Sequence, residues 1–136
     1  MTTDYAWAAG IVDGEGCIYI SHNQASRCRE GVFAHTLWIH VSQSKTQNGY
    51  PMLERLHAIF GGHLTKEYQG KGNRRPVRRW CVGASVAEDV LRCIRPYLIQ
   101  KLRQADIALE YRKRGLGKGN GVLAAAYSQR LREAKR

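Results

Sequence analysis

Two short segments alternate between apolar and polar positions. Residues 17–21 place Ile18 and Ile20 on one side, and residues 36–42 repeat the alternation with their own aliphatic positions. A period of two is typical of strands that bury only one face. The long polar segment between them fits a turn, so the pattern predicts a hairpin with one apolar and one wet face.

Helices are predicted on both sides of this hairpin. The first runs from an N-cap at Asp4 to about Asp13, where Gly14 and Gly16 would end it. The second has apolar residues at helical spacing over about residues 51–60 and ends at a glycine pair.

A second strand pair follows, over about residues 63–68 and 77–84, joined by the basic turn QGKGNRRP. Ser85 and Glu88 fit a capping box that opens a third helix. Strands that come in hairpin pairs between helices predict an antiparallel sheet covered by helices on one face, an α+β architecture.

The domain organisation follows from the rest of the chain. A helix over about residues 101–114 completes a predicted single domain, residues 1–114. Residues 115–136 are predicted to be a glycine-rich link followed by a basic C-terminal helix or tail. That tail could reach a nucleic acid or pack against the domain, and the sequence leaves both open.

Charge narrows the class of partner. The chain has 22 Lys and Arg against 11 Asp and Glu, so a polyanion is expected, either a nucleic acid or an acidic membrane surface. No apolar run reaches the roughly 20 residues of a membrane span, and no signal-peptide pattern opens the chain, so we expect an intracellular protein without membrane contact. The cysteines form no CxxC pair, which argues against structural zinc.

The segment AAGIVDGEG, Ala8 to Gly16, followed by the strand CIYI, resembles the LAGLIDADG motif of homing endonucleases and related maturases. HVSQSKTQ and RPYLIQKLRQADIAL also resemble segments of single-motif members, so the resemblance covers about Thr3 to Arg114. It implies an αββαββα core whose antiparallel sheet forms a DNA-binding saddle, with helices on the other face.

Ala6, Gly10 and Gly14 recur every four residues, so they form one smooth stripe on the first helix. Such stripes allow two helix backbones to approach closely. With a single motif in the chain, the resemblance implies a homodimer through these helices. The alternative is that the small residues pack against the protein's own sheet.

The carboxylates at the end of this helix acquire a role from the resemblance. It places Glu15 at the metal-binding acid position and the carbonyl of Gly14 at the companion ligand, while Asp13 holds the helix end in place. The implied cofactor is Mg²⁺, with Mn²⁺ as a candidate substitute and Ca²⁺ expected to bind without supporting cleavage. The alternative is an ordinary acidic turn between a helix and a strand.

Two further polar residues match the family's active-site water network. Lys101 would stabilise developing phosphorane charge, and Gln43 would help order the water. Lys45 is a competing candidate for the position of Gln43, because the local alignment with the family can shift by a residue. The alternatives are that Lys101 is a surface lysine and Gln43 a polar residue at a strand end.

The wet face of the sheet and the basic turns carry the candidate DNA-binding residues. Guanidinium groups suit guanine edges and phosphates equally, so the sequence does not separate base readers from phosphate contacts. The set is Tyr19, Ser21, Asn23, Gln24, Arg27, Arg29, Thr36, Trp38, His40, Lys66, Tyr68, Lys71, Arg74, Arg75, Arg78 and Arg79, with Cys81 less firmly placed.

The resemblance therefore implies an intron-encoded, site-specific endonuclease that hydrolyses both strands of DNA as a magnesium-dependent homodimer. Its target would be a long, partly palindromic duplex, and it would be found with that DNA in a prokaryotic cell or an organelle. Two alternatives stay open. One is a DNA-binding regulator that has lost hydrolysis, and the other is a maturase that assists intron splicing, with RNA as its partner.

Overall fold

A first helix leads directly into a strand in the computed structural model, which describes residues 2–23, 34–115 and 121–135. The element order is that predicted from the sequence, with one 3₁₀ turn (Arg95–Tyr97) before the fourth helix. The elements are α1 (Thr2–Glu15), β1 (Gly16–Asn23), β2 (Ala34–Ser44), α2 (Pro51–Phe60), β3 (His63–Leu64), β4 (Val77–Gly83), α3 (Ala84–Ile94), α4 (Leu102–Lys113) and α5 (Gly121–Ala134).

The four strands form one antiparallel sheet in the order β1-β2-β4-β3. Ile18 lies opposite Ile39, and Val41 lies opposite Trp80, and all four side chains are fully buried. They pack beneath the helices in a single apolar core. The predicted α+β architecture is confirmed.

The junction between α1 and β1 differs from the sequence prediction. The helix continues through Gly14 to Glu15, and Asp4 lies within its first turn and pairs with Arg55 at 3.2 Å. Gly16 is the residue that needs to be glycine, since a Cβ there would lie 2.8 Å from the backbone of Val12. The first strand can therefore start against the last turn of the helix.

Substituting Gly16 tests this close packing. Gly16→Ala is expected to lower the free energy of unfolding by about 1–3 kcal/mol, because the new methyl group overlaps backbone that cannot move aside. Gly121→Ala is the matched control, since among the described residues its Cβ would meet only a side-chain atom, at 3.7 Å. Urea unfolding measures both, and equal stabilities of Gly16→Ala and the unsubstituted protein would contradict the argument.

The predicted third strand is much shorter than expected. It covers only His63 and Leu64, and farther along the segment a single bridge joins Tyr68 to Val77. The cause lies at Thr65, whose side-chain oxygen accepts the amide of Arg79 at 3.0 Å in place of a backbone carbonyl. The regular ladder stops there.

The predicted capping box at the start of α3 is wrong. The helix begins at Ala84, and its N-cap is Gly83, with no hydrogen bond from a side chain. Glu88 instead accepts hydrogen bonds from Arg92 and Arg112, both at 2.9 Å. These bonds hold the pKa of Glu88 below its usual range and connect α3 to α4.

The C-terminal helix α5 packs against the rest of the described structure. Ala124, Tyr127 and Leu131 are buried in the common core, and the hydroxyl of Ser128 donates to the carbonyl of Ile20 at 3.3 Å. The helix therefore covers the free edge of β1. The domain boundary at residue 114 stays a prediction.

Within residues 2–23, 34–115 and 121–135, no helix has the length and apolar character needed to cross a bilayer.

Candidate metal centre and nucleic-acid interface

Glu15 ends α1 with an exposed side chain at the rim of an open cleft of about 500 Å³. Most of the cleft wall comes from the end of β2, the segment after it and the start of β4, which bring oxygen-bearing side chains opposite the carboxylate. The residues lining it are Glu15, Ser42, Gln43, Ser44, Thr46, Met52, Arg75 and Val77.

The end of α1 concentrates negative potential beside this cleft. The last four carbonyls of a helix lack helical partners and carry the negative end of its dipole. The ammonium of Lys101 donates to one of them, the carbonyl of Asp13, at 2.7 Å. The carbonyl of Gly14 belongs to the same turn, one residue before the Glu15 carboxylate, so the position favours a cation.

Asp13 holds the loop that carries Lys101. One carboxylate oxygen of Asp13 accepts the amide of Ile99 at 2.8 Å, and the other accepts the amide of Lys101 at 2.9 Å. Both oxygens are thus engaged by backbone donors. This geometry supports the structural role predicted for Asp13.

Gln43 and Lys45, the two candidates for the residue that orders the active-site water, have different surroundings. The side-chain oxygen of Gln43 is buried in the cleft wall and has no hydrogen-bond partner among the described residues. Lys45 pairs with Glu67 at 3.5 Å, and that carboxylate also accepts the hydroxyl of Tyr50 at 2.7 Å. The hydrogen bond from Tyr50 holds the pKa of Glu67 below its usual range. Gln43 therefore lines the Glu15 cleft, and Lys45 does not.

The donor set at Glu15 fits a hard divalent cation. The described part of the chain contains no group of three or more His, Cys, Asp or Glu side chains placed to hold a metal. Magnesium retains several waters and is commonly bound through one or two carboxylates together with substrate phosphates. A buried acceptor that lacks a donor, such as Gln43 Oε1, is costly unless water fills the gap. Glu15, the Gly14 carbonyl and an open cleft large enough for water molecules match these requirements.

The face of the sheet opposite the core carries most of the predicted base readers. Cross-strand pairing sets their positions, because directly opposed residues share a face. The pairs on this face are Tyr19–Trp38, Ser21–Thr36, His40–Cys81 and Ser42–Arg79.

Aromatic side chains dominate the centre of this face. The rings of Tyr19 and His40 lie 5.0 Å apart. Trp38 lies over Gly83, where a Cβ would come within 2.7 Å of the indole ring. Glycine at that position allows the indole to lie flat on the sheet.

His40 adds a polar group that stays uncharged at neutral pH. Burial, followed by the nearby charges of Arg79 and Lys135, holds the pKa of His40 below its usual range. Lys135 reaches this face from the C-terminal end of α5, and its ammonium lies 3.3 Å from the sulfur of Cys17. The sequence pattern had not placed Lys135 beside the base readers.

The basic turns supply exposed cations, with one exception. Arg78 lies on the helix side of the sheet, where it donates to the carbonyl of Thr65 at 2.9 Å and sits over the ring of Tyr50. It does not share a face with the base readers. The other predicted DNA-binding residues between β3 and β4 are all exposed, namely Lys66, Tyr68, Lys71, Arg74 and Arg75.

The remaining predicted DNA-binding residues are Asn23, Gln24, Arg27 and Arg29. Asn23 is the last residue of β1. Gln24, Arg27 and Arg29 lie outside the described residues.

The stripe of small residues on α1 is open. Ala6, Gly10 and Gly14 are all exposed, and apart from the nearby backbone of α1 itself no atom of the described residues lies within 4 Å of a Cβ built at either glycine. The opposite side of the helix, through Ala8, Ala9 and Val12, packs on the core. The stripe therefore does not pack against the protein's own sheet.

The fold matches that of a known class of proteins. The chain has the fold of the LAGLIDADG homing endonucleases, which confirms the resemblance inferred from the motif. No protein-family model and no curated protein matches the sequence.

Two similar solved structures are of the homing endonuclease I-CvuI. One is its complex with the I-CreI target in 2 mM Mg, in which the DNA is not cleaved, with 26% identity, a TM-score of 0.80, and coverage of 97% of this chain and 82% of that one. The other is its complex with its own target in 2 mM Ca, with 27% identity, a TM-score of 0.78, and coverage of 98% and 82%.

A more distant neighbour is the LAGLIDADG homing endonuclease I-SmaMI bound to cleaved DNA. It is 19% identical, with a TM-score of 0.64, and the match covers 96% of this chain and 42% of that one. This likeness concerns the fold alone.

Proposed function

We propose that the protein is a site-specific DNA endonuclease that uses a divalent metal and cuts both strands as a homodimer. The observation that carries the proposal is the exposed Glu15 carboxylate, at the negative end of α1, in an open cleft lined by oxygen donors. The face of the sheet opposite the core, which we call the base-reading face, would provide a surface for the duplex. The DNA complexes of I-CvuI support this choice of partner.

The residues around the cleft have separate roles in this proposal. Glu15 and the carbonyl of Gly14 would hold Mg²⁺, with Mn²⁺ as a substitute and Ca²⁺ as a non-catalytic occupant. When bound, the ion would neutralise charge on the phosphate and lower the pKa of the attacking water. Gln43 Oε1 would accept a hydrogen bond from that water and orient it. Lys101 would keep a positive charge next to the helix end.

The proposal of a homodimer rests on the number of Glu15 carboxylates per chain and on the length of the sheet compared with a turn of DNA. One chain offers one Glu15 cleft, whereas cutting both strands requires two scissile sites. The 11 residues of β2, at about 3.3 Å each, are roughly as long as one 34 Å turn of DNA. Two protomers joined at the exposed stripe on α1 would cover about two turns, and a twofold axis makes the preferred site partly palindromic. We infer that the protein acts inside the cell, with its DNA.

The experiment that tests the proposal separates binding from chemistry. Duplexes are selected from a random pool with the protein in Ca²⁺, and the selected duplexes are then transferred to Mg²⁺. Enriched sequences with twofold symmetry that are cut on both strands would establish the endonuclease. Duplexes that are bound and never cut would replace it with a DNA-binding regulator. Failure to enrich any duplex would favour the maturase instead.

A further inference from the structure

Arg75 lies just before β4 and lines the Glu15 cleft. The same side chain borders two adjoining clefts, one shared with Lys45 and the other with Lys71 and Arg74. Arg75 is exposed, and no described residue makes a hydrogen bond or an ion pair with its guanidinium. Among the described residues that line the Glu15 cleft, it is the only Lys or Arg.

The other cations near the cleft are already engaged. Lys101 donates to the carbonyl of Asp13, Lys45 pairs with Glu67, and Arg78 donates to the carbonyl of Thr65. Arg79 donates to the hydroxyl of Ser42 at 3.3 Å. A phosphate group held at Glu15 would compete with these partners for each of them. It would meet no such competition at Arg75, so Arg75 is the cation best placed to bind it.

We propose that Arg75 is a catalytic residue that binds the scissile phosphate and stabilises its transition state. This inference rests on the proposed endonuclease function and adds to it a residue from the basic turn. In the reaction, a water oxygen forms a bond to phosphorus and loses its proton to solvent. The bond to the leaving ester oxygen breaks, and that oxygen keeps the electron pair and takes up a proton.

Charge builds on the non-bridging oxygens as this exchange proceeds. A guanidinium offers a planar fork of donors that matches two such oxygens and remains protonated throughout. The duplex would cover the cleft and displace most of its bulk water while leaving the attacking water in place, which increases the value of a donor aimed at the developing charge. Arg75 forms no covalent bond, so its removal should slow the reaction without changing the products.

Arg74 provides the matched control. It is the preceding residue, equally exposed and equally charged, and it lines the outer cleft with Lys71 but does not line the Glu15 cleft. Its contact with DNA should contribute to affinity alone. The pair therefore distinguishes a catalytic arginine from one that only attracts phosphate.

The test compares unsubstituted protein with Arg75→Ala, Arg75→Lys and Arg74→Ala on a duplex selected in Ca²⁺. The dissociation constant is measured in Ca²⁺, and the single-turnover cleavage rate is measured in Mg²⁺ with protein in excess over its dissociation constant. Arg75→Ala is expected to lose about 10²–10³-fold in rate, with an affinity close to that of Arg74→Ala. Arg75→Lys should recover part of the rate, and millimolar guanidinium should speed Arg75→Ala but not Arg74→Ala.

The outcomes are distinguishable. A rate for Arg75→Ala equal to that of the unsubstituted protein, or equal rate losses in both alanine variants, overturns the catalytic role and leaves the endonuclease intact. Unsubstituted protein that binds its selected duplex and never cuts it overturns the proposed function and the role of Arg75 together. Circular dichroism confirms that each variant is folded, as expected for exposed positions.

Discussion

Glu15→Gln should abolish cleavage of the selected duplex while leaving its binding in Ca²⁺ within a few-fold of the unsubstituted protein. The amide keeps the size of the side chain but has no charge to attract a divalent cation. Metal-ion stabilisation of the transition state is worth several kcal/mol, and about 1.4 kcal/mol is tenfold in rate. We therefore expect a loss of at least roughly 10³-fold.

The measurement is single-turnover cleavage in Mg²⁺ alongside a binding titration in Ca²⁺. Glu54→Gln is the control, since Glu54 is an exposed acid on α2 and its loss changes the net charge by the same amount. Cleavage by Glu15→Gln at the rate of the control would disprove the metal assignment. Loss of binding in Glu15→Gln alone would show that the carboxylate serves binding, which the proposal does not predict.

The elements that the sequence predicted well are those whose local pattern coincides with their tertiary environment. Ile18, Ile20 and Leu37 alternate with polar residues and are buried on one face of the sheet, as a period of two requires. The end of α2 was equally clear, because Gly61 has a positive φ of 72° that other residues rarely adopt. The apolar spacing and turn residues of the later segments predicted the remaining elements, and the order of the elements is similar to that of the family whose motif the chain resembles.

The composition of the Glu15 cleft could not be predicted in the same way. Glu15, Gln43 and Arg75 are far apart in the sequence, and they line one cleft because β1 pairs with β2, with Gly16 opposite Val41, and β2 pairs with β4, with Ser44 opposite Val77. A shift of one residue in that register would turn every side chain of the strand to the other face. No local pattern fixes a register between segments separated by a helix and a long turn.

Arg78 shows how charge alone can mislead. Adjacent strand residues point to opposite faces, so Arg78 and Arg79 cannot both read the same duplex surface. The burial of Trp80 and Val82 shows which face of β4 packs on the core, and Arg78 lies on that same face. The alternation of Arg78 and Arg79 with the apolar residues of β4 is visible in the sequence. The prediction that all the basic residues of this segment share one surface did not take it into account.

The C-terminal segment required tertiary information for a different reason. Its sequence is compatible with an exposed basic tail, and only the burial of Tyr127 beside Tyr111 shows that one side of α5 is apolar enough to pack. The packing of α5 determines which of its basic side chains form ion pairs within the protein and which reach the sheet. Arg130 pairs with Glu110, whereas Lys135 extends to the base-reading face.

Gly10→Leu is expected to convert the proposed dimer into monomers. Backbones that meet at the open stripe leave no room for a large side chain, and the twofold axis repeats each clash. Overpacking costs about 1–3 kcal/mol per site, so two sites should raise the dissociation constant of the dimer by about 30-fold to roughly 10⁴-fold. Sedimentation across a range of protein concentrations measures the change.

Ala58→Leu is the matched control, because it adds apolar surface at an exposed position of a different helix, α2. It should sediment as the unsubstituted protein does. A Cβ at Gly10 would meet no described atom within 4 Å outside the backbone of its own helix, so Gly10→Leu should keep its fold while losing double-strand cleavage. A Gly10→Leu protein that remains dimeric would place the subunit interface elsewhere. The two Glu15 clefts would then have to be brought to the duplex by a surface other than the motif helix.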